Sequence, residues 1–329
     1  MNNKKKVVIL LATYRPNMVF FEKLLTSLNQ QDYSNLELYI RDDSADKEWS
    51  SEIKLMVSTV ITKITFHFEE NEINLGSNRT FELLTKECIG DYLAYCDQDD
   101  IWEPYKISKL IYEIEKEDAE MCYSDLSLID ESDKKIANSF REIKKRVVHV
   151  SGEHLFDYFL RRSSVTGCTM LVKADTAKKS LPFPIDYMVH DQWITLFCAS
   201  KGKIAYVSDP LIRYRLYSGN QIGASVLPNI FSKQDYLKDR LFKEVDKLTF
   251  LENNYKFSID NEKMIQRELL FFKDRILFFE RTSLFNLLNI LKYLKKDTQL
   301  IIFEIFIAMM PKWMVSKLFS KLHHNKVGV

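Results

Sequence analysis

The sequence predicts an α/β fold with a mainly parallel sheet, followed by a C-terminal helical region. Strand-like and helix-like segments alternate over the first hundred residues, which is the pattern of βαβ units. Polar clusters follow four of the predicted strands, at the ends where open parallel sheets bind ligands. After about Leu227 the pattern changes to long amphipathic helices. We therefore expect two domains, residues 1–225 and residues 226–329.

The predicted elements of the first domain follow from local hydrophobic patterns. The first strands cover residues 6–12, 36–43, 63–69 and 91–97, and the segments between them favour helices near residues 18–31, 47–58 and 79–87. Later strands are expected within residues 121–130, 165–173 and 203–220, with a helix within residues 188–200.

Composition narrows the class of protein. The 329 residues are 46% apolar, enough for a full core, and a net charge of +1 gives no global indication of nucleic-acid binding. The five cysteines mostly lie in apolar runs and form no CxxC pair, which favours reduced cysteines of a cytoplasmic protein. The apolar runs at residues 7–12 and 300–310 are too short for a signal peptide and for a membrane span.

The C-terminal region is basic. From Arg281 onward there are eight Lys or Arg residues against Asp297 and Glu304, a net charge of +6 that leaves −5 for the rest of the chain. The sequence of residues 284–296 favours a helix with leucines on one face and lysines elsewhere. Such a helix packs on the catalytic domain or lies in an anionic membrane surface, and we expect the second.

Three carboxylates within four positions, Asp97, Asp99 and Asp100, follow the strand that ends at Cys96. Like charges this close repel each other unless a cation compensates them or water solvates them fully. The cluster is therefore either a cation-binding loop or an acidic loop in water. Two aspartates separated by one residue can hold a hard divalent cation whose oxygen shell is completed by a phosphate ligand. Such a cation acts as a Lewis acid for a leaving diphosphate.

The other polar clusters are individually ambiguous. Asp42 and Asp43 suit a ligand site, an Asx turn, or the acid pocket of a receiver domain. The single glycine in residues 74–79 is too little for a dinucleotide or P-loop fingerprint. Asp191, in the first turn of a predicted helix, is stabilised as a carboxylate by the helix dipole and can accept a proton from a hydroxyl. Arg215 has the geometry for diphosphate but is also typical of a surface charge.

Seven segments, taken in order, resemble family 2 glycosyltransferases with a GT-A fold, and most of all the bacterial rhamnosyltransferase-like branch. The resemblance covers about residues 5–225, and it is carried by VVILLATYRP, LELYIRDDSAD, NLGSNRTFELL, GDYLAYCDQDDIWEPYKI, TGCTMLVK, HDQWITL and PLIRYRLYSGNQIG. It implies a GT-A, Rossmann-like, mainly parallel sheet flanked by helices.

The same resemblance implies roles for individual residues. Asp191 is the expected catalytic base, His190 and Trp193 are expected on the acceptor side, and Asp97 and Asp99 are the expected ligands of Mn²⁺ or Mg²⁺. The expected donor-binding residues lie at or after strand ends: Thr13, Tyr14, Arg15, Asp42, Arg79, Asp97, Gln98 and Arg215. The chain has Tyr217 where the family pattern has histidine, which leaves strict metal dependence open.

The expected function is an inverting, metal-dependent transfer of a sugar from a nucleotide sugar to a lipid-linked saccharide, in surface polysaccharide synthesis. The expected donor is dTDP-rhamnose, with a UDP-hexose as the alternative. We expect a cytoplasmic protein held peripherally at the inner leaflet; a homo-oligomer is left open. Two other classes of protein fit the sequence less well. A nucleotidyltransferase ordinarily has glycines after its first strand, which this chain lacks, and a receiver-like binding module does not explain the second acidic cluster.

Overall fold

The computed structural model describes residues 4–145, 147–217 and 230–324, with the backbone alone for residues 321–324. The chain divides into two compact units, Met1–Ser218 and Gly219–Val329. The predicted boundary between residues 225 and 226 lies outside the described residues, as do residues 218–220 of the predicted last strand.

Nine strands of the first unit form one sheet, in the order β3-β2-β1-β4-β8-β6-β9-β5, with β7 paired to β6. The strands are β1 Val7–Thr13, β2 Leu36–Asp42, β3 Thr65–Glu70, β4 Tyr92–Cys96, β5 Ile101–Trp102, β6 Met121–Ile129, β7 Lys135–Ala137, β8 Met170–Lys173 and β9 Ile204–Arg215.

Helices connect these strands, as the alternating pattern predicts. They are α1 Met18–Asn29, α2 Lys47–Val60, α3 Ser77–Glu87, α4 Lys106–Lys116, α5 Phe140–Ile143, α6 Phe156–Arg161, α7 Ala174–Lys179 and α8 His190–Lys201. Local caps set two of their starts: the side chain of Asn17 accepts from the backbone of Val19, and that of Asp46 accepts from Glu48.

The sheet is mostly parallel, and the predicted fold class is confirmed. Strands β1, β2, β3 and β4 run parallel, and β6 runs parallel to β9. Strand β8 is antiparallel to both of its neighbours, β4 and β6. Strands β4 and β6 are buried along their whole length, because helices cover both faces of the sheet.

The antiparallel direction of β8 has a consequence for the ligand-binding edge. Strand β4 ends at Cys96 at this edge, and β8 begins beside it. The one-turn 3₁₀ helix Gly167–Thr169, which leads into β8, therefore lies next to the acidic loop that follows β4. Sequence patterning predicted one strand over residues 165–173, whereas its first half forms this turn.

The second unit is helical, in agreement with the predicted C-terminal extension. Its helices are α9 Lys233–Tyr236, α10 Lys243–Asn254, α11 Ile259–Glu280, α12 Leu284–Leu291, α13 Thr298–Met309 and α14 Lys312–His324, with a π-helical segment Leu237–Phe242 between α9 and α10. The helix predicted over residues 284–296 ends earlier, at Leu291. Within the described ranges, no helix combines the length and apolar content that a bilayer span requires.

A buried polar group organises the core of this second unit. The Glu304 carboxylate, fully buried, pairs with the guanidinium of Arg275 and accepts from the hydroxyl of Tyr236 at 2.6 Å. Removal of one partner leaves the other charge buried and unpaired, which typically destabilises a protein by about 3–5 kcal/mol.

Candidate active site

The acidic loop is fixed to the end of β1 by one side chain. Gln98 accepts from the backbone N–H of Tyr14 at 2.8 Å, and its amide nitrogen donates to the Tyr14 carbonyl at 3.2 Å. Tyr14 and Arg15, both half exposed, therefore lie beside the acidic loop at the open edge of the sheet. Of the predicted donor-binding residues, these three are the ones that the structure brings together with an accessible surface.

Thr13 and Asp42 lie at the ends of β1 and β2, where the prediction places them. Both are buried, and the Asp42 carboxylate accepts from the hydroxyls of Thr13 at 2.9 Å, Ser44 at 2.7 Å, and Ser50. These hydrogen bonds join β1 to the start of α2. The predicted contact of Thr13 and Asp42 with the nucleotide stays a prediction.

Asp43 stabilises a turn, which is one of the alternatives that the sequence left open for Asp42 and Asp43. Its carboxylate accepts from the backbone N–H groups of Leu75 at 2.7 Å and Gly76 at 2.8 Å, and from the side chain of Asn71. Gly76 has φ +79°, a left-handed conformation in which an L side chain is strained, so the single glycine of residues 74–79 is needed for this turn.

Asn78, which was not predicted, joins α3 to the helix that carries Asp191. Its side-chain oxygen accepts from the backbone N–H of His190 at 2.9 Å, and its amide donates to the carbonyl of Met188 at 3.3 Å. The next residue, Arg79, is half exposed and pairs within its own helix with Glu82 at 2.7 Å. Arg79 is thus committed to a local ion pair in this structure.

The three carboxylates of the acidic loop are held in a region that disfavours their charge. Burial, then the negative charges of Asp99 and Asp191, raise the pKa of Asp97 to about 7. Burial, then Asp99 and Asp97, raise the pKa of Asp100 well above its ordinary value. Burial also raises the pKa of Asp99, against the opposing effects of a hydrogen bond from Tyr217 and the charge of Arg215. A cation at this loop would relieve the mutual repulsion.

The geometry groups the carboxylates in a way that differs from the predicted metal pair. Asp97, Asp100 and Cys168 each bring one ligand atom within 4.8 Å of the other two. Oδ2 of the fully buried Asp100 accepts no hydrogen bond from a nitrogen or oxygen donor among the described residues, and the neighbouring side chain on the Asp100 carboxyl is the Cys168 thiol, so this carboxyl fits a cation ligand. Asp99, the second predicted ligand, is not in this group, and its carboxylate accepts from Tyr217. The oxygen donors suit a hard divalent ion such as Mn²⁺ or Mg²⁺.

Arg215 holds the acidic loop in place through hydrogen bonds to Asp99 and Asp100. It is fully buried; its backbone N–H donates to Asp100 at 3.1 Å, and its guanidinium donates to the carbonyl of Asp99 at 3.0 Å and to Asp133 at 2.6 Å. The guanidinium also lies over the ring of Phe20, 4.2 Å from its centre. These contacts show that Arg215 orders the loop, and its predicted role in donor binding stays a prediction.

Lys106 is a second buried basic residue, and no sequence motif predicted a role for it. Its ammonium group donates to the carbonyl of Cys168 at 2.7 Å and lies over the ring of Trp102, 3.0 Å from the ring centre. Burial lowers its pKa to about 7, opposed by the negative charges around it, including those of Asp100 and Asp97. A lysine with no exposed surface next to an acidic loop is characteristic of functional sites.

Asp191 lies across the Gly167–Thr169 turn from this loop. The Asp191 carboxylate accepts from the backbone N–H of Gly167 at 3.2 Å and from that of Gln192 at 2.6 Å. Its negative charge is one of the causes of the raised pKa of Asp97, which places the two carboxylates near each other. A half-buried carboxylate at the start of α8 thus faces the acidic loop.

His190 and Trp193 point into the protein. The His190 imidazole packs on the rings of Phe81, at 4.2 Å between centres, and Tyr95, at 5.9 Å, and burial lowers its pKa. Trp193 is fully buried, and its indole N–H donates to the carbonyl of Ser180 at 2.8 Å. Trp193 begins a run of buried α8 residues that extends to Ala199. The predicted place of His190 and Trp193 on the acceptor side stays a prediction.

Comparisons with known proteins agree with this architecture. The model of Glycosyl transferase family 2 matches residues 11–173, which include β1, the acidic loop and β8. The chain is 27% identical over 230 residues to the dTDP-rhamnosyl transferase RfbG of Shigella flexneri, covering 66% of this chain and 74% of that protein. Residues 11–173 therefore form a glycosyl transferase family 2 domain, and the predicted resemblance is confirmed.

Two further proteins are similar over most of the chain. The UDP-Glc:alpha-D-GlcNAc-diphosphoundecaprenol beta-1,3-glucosyltransferase WfaP of Escherichia coli is 25% identical over 234 residues, covering 70% of this chain and 85% of that protein. The structure of the mannosyltransferase PcManGT from Pyrobaculum calidifontis in complex with GDP-Man and Mn²⁺ has a TM-score of 0.54 and 11% identity. It covers 98% of this chain and 85% of that chain, and it supports the fold alone.

Proposed function

We propose that the chain is an inverting glycosyltransferase whose catalytic base is Asp191. The observation that carries this proposal is the placement of a half-buried carboxylate opposite the acidic loop, across the Gly167–Thr169 turn. The acidic loop can then hold the leaving diphosphate while the Asp191 carboxylate receives a proton. A single in-line displacement needs this arrangement.

In the proposed reaction an acceptor hydroxyl oxygen attacks the anomeric carbon of the donor sugar. The bond between that carbon and the phosphate oxygen breaks, and the electron pair leaves with the nucleoside diphosphate. Asp191 accepts the hydroxyl proton. Because the hydroxyl attacks in one step from the side opposite to the leaving diphosphate, the new glycosidic bond forms with inversion of configuration.

The acidic loop is the proposed binding place of the diphosphate. Asp97 and Asp100 are the side chains that would hold a Mn²⁺ or Mg²⁺ ion, which supplies Lewis-acid stabilisation of the leaving group when bound. Asp99 contributes further negative charge and is kept in position by Tyr217 and Arg215. Tyr14, Arg15 and Gln98 form the proposed surface for the nucleotide, because they are accessible at the same edge.

The donor and acceptor are proposed from the relatives. The name of RfbG supports dTDP-rhamnose as the donor, and the name of WfaP supports a UDP-hexose as the alternative and a diphosphoundecaprenol-linked saccharide as the acceptor. We propose that the product is part of a surface polysaccharide and that the chain works at the cytoplasmic face of the membrane, where a lipid-linked acceptor is presented.

Thermal stabilisation by donors tests this function. Purified protein is heated with dTDP, UDP, dTDP-rhamnose or UDP-hexoses, each with Mn²⁺, Mg²⁺ or EDTA, because a ligand that binds the folded state raises Tm. We expect a shift with one nucleotide class that is larger with the metal than with EDTA. A well-folded sample that no nucleotide stabilises would favour a receiver-like binding module instead.

Asp191→Asn tests the base separately from donor binding. The amide retains the shape of the carboxylate but cannot accept the proton, so we expect the donor-induced shift to persist while transfer falls by about 10²–10⁴. Asp175→Asn, at an exposed position of α7, is the matched control and should leave both unchanged. Normal turnover of Asp191→Asn would rule out this base.

A further inference from the structure

Helices α12 and α13 pack on α11 through a shared apolar cluster. Ile290 of α12 and Ile301 and Ala308 of α13 are buried there against Phe271 and Phe278 of α11. The sides of α12 and α13 that lie opposite these residues therefore face away from the cluster.

The outward side of α13 is apolar as well. Ile302, Phe306 and Met309 recur at intervals of four and three residues, which places them on one face of the helix. They are 57%, 57% and 68% exposed. A helix that is hydrophobic all round is ordinarily covered on all sides, so this face calls for an external partner.

The neighbouring helices extend this surface. Leu284 and Phe285 on α12 are more than two-thirds exposed, and Trp313, in the first turn of α14, is 69% exposed. We call the exposed sides of α12 and α13, together with Trp313, the outer helical face.

The charges beside the outer helical face have one dominant sign. Lys292, Lys295, Lys312 and Lys317 are all exposed. The acidic residues of positions 281–320 are Asp297, which caps α13 through the N–H of Leu300, and Glu304, which is buried in its pair with Arg275. The segments that carry the exposed apolar side chains therefore carry exposed positive charge as well.

We propose that the outer helical face docks on an anionic membrane surface. Aromatic and aliphatic side chains enter the boundary between headgroups and acyl chains, while lysines pair with lipid phosphates. A symmetric contact with a second copy of the chain would instead bring two sets of lysines into one interface, where their like charges disfavour association. The inference deepens the proposed function and rests on it for the lipid-linked acceptor, which this docking would bring to the enzyme.

The test is flotation of the full chain with vesicles. The vesicles consist of phosphatidylcholine alone or of phosphatidylcholine with phosphatidylglycerol. We expect binding to the anionic vesicles, a loss of roughly fivefold for each lysine neutralised in Lys292→Gln and Lys312→Gln, and weakening by salt. Phe306→Ser with Met309→Ser should weaken partitioning by about tenfold or more.

Leu55→Ser with Ile89→Ser is the matched control, because Leu55 and Ile89 are 68% and 71% exposed and lie in the other unit. This variant should bind vesicles like the parent. Equal losses in both double variants, or no flotation of the parent, would overturn the inference. Dimerisation of the parent that Phe306→Ser with Met309→Ser abolishes would overturn it too, since it would show a second copy on this face.

Donor-induced thermal stabilisation is measured on the same samples to separate the two proposals. Absent flotation with intact donor stabilisation counts against membrane docking alone. Flotation without any donor stabilisation counts against the proposed function alone.

Discussion

Replacing Gly167 by alanine should displace the proposed base, Asp191, without changing any reactive side chain. A β-carbon at this position would lie 2.9 Å from Nε2 of His190 and 3.6 Å from the β-carbon of Asp191. An ordinary contact begins at 3.4 Å, so the His190 ring must move by at least about 0.5 Å. Because this ring is packed on Phe81 and Tyr95, we expect the start of α8 to shift with it and to weaken the 3.2 Å hydrogen bond from Gly167 to the Asp191 carboxylate.

The expected magnitude follows from this displacement. A 1 Å misplacement of a reacting group can reduce the rate about 10²-fold, so a shift of half that size or more predicts a loss of roughly ten- to a hundredfold in kcat. Overpacking of this kind also destabilises a folded protein by about 1–3 kcal/mol. The donor KM should stay near that of the parent, because the acidic loop and Gln98 do not contact the added methyl group.

The assay is release of nucleoside diphosphate at saturating acceptor, with donor binding followed by thermal shift. Gly202→Ala is the control: its β-carbon meets Glu120 Cγ at 3.0 Å, a side-chain atom that can move, at the far end of α8. We expect the control to retain kcat. An unchanged kcat in a folded Gly167→Ala protein, or equal losses in both variants, would refute the reasoning.

Two further predictions concern the acidic loop. The pKa of Asp97 is raised from its ordinary 3.8 to about 7, so the folded metal-free protein binds more protons than the unfolded chain between these values. The free energy of unfolding of the metal-free protein should therefore fall as pH rises from about 4 to about 7. The increase in Tm caused by Mn²⁺ should grow over the same interval. A Mn²⁺ effect on Tm that is independent of pH would contradict this expectation. The substitution Lys106→Met leaves the buried carbonyl of Cys168 without its hydrogen-bond donor. We therefore expect urea unfolding to show a destabilisation of about 1–3 kcal/mol. Lys109→Met, at a neighbouring position of α4, should reduce the free energy of unfolding by less. Equal effects of the two lysine changes would speak against the structural role of Lys106.

Much of the framework could be predicted because it depends on local patterns. The apolar runs of β1, β2 and β4, with helices between them, specify parallel strands whose carboxyl ends meet at one edge. The position of Asp191 in the first turn of α8 likewise follows from the helix pattern of residues 188–200. The sequence was therefore sufficient for the fold class and for the position of the acidic loop at the edge of the sheet, whereas the role of Asp191 was predicted from the family resemblance and stays a prediction.

The division of labour among the polar residues could not be predicted in this way. The Asp42 carboxylate accepts a hydrogen bond from the hydroxyl of Thr13, 29 positions away in the sequence. The Arg215 guanidinium donates to the carbonyl of Asp99, 116 positions away. Whether a charged side chain faces a ligand or a neighbouring segment depends on such distant partners. For the same reason Lys106 was missed, since its spacing suits an ordinary surface helix.

The sequence by itself determined which residues are available at the edge of the sheet, because strand and helix periods are properties of short segments. Tertiary structure alone decided that β8 runs antiparallel to β4, and this direction places Gly167 between the acidic loop and Asp191. Strand direction is set by long-range hydrogen-bond pairing and packing, and no local pattern records it.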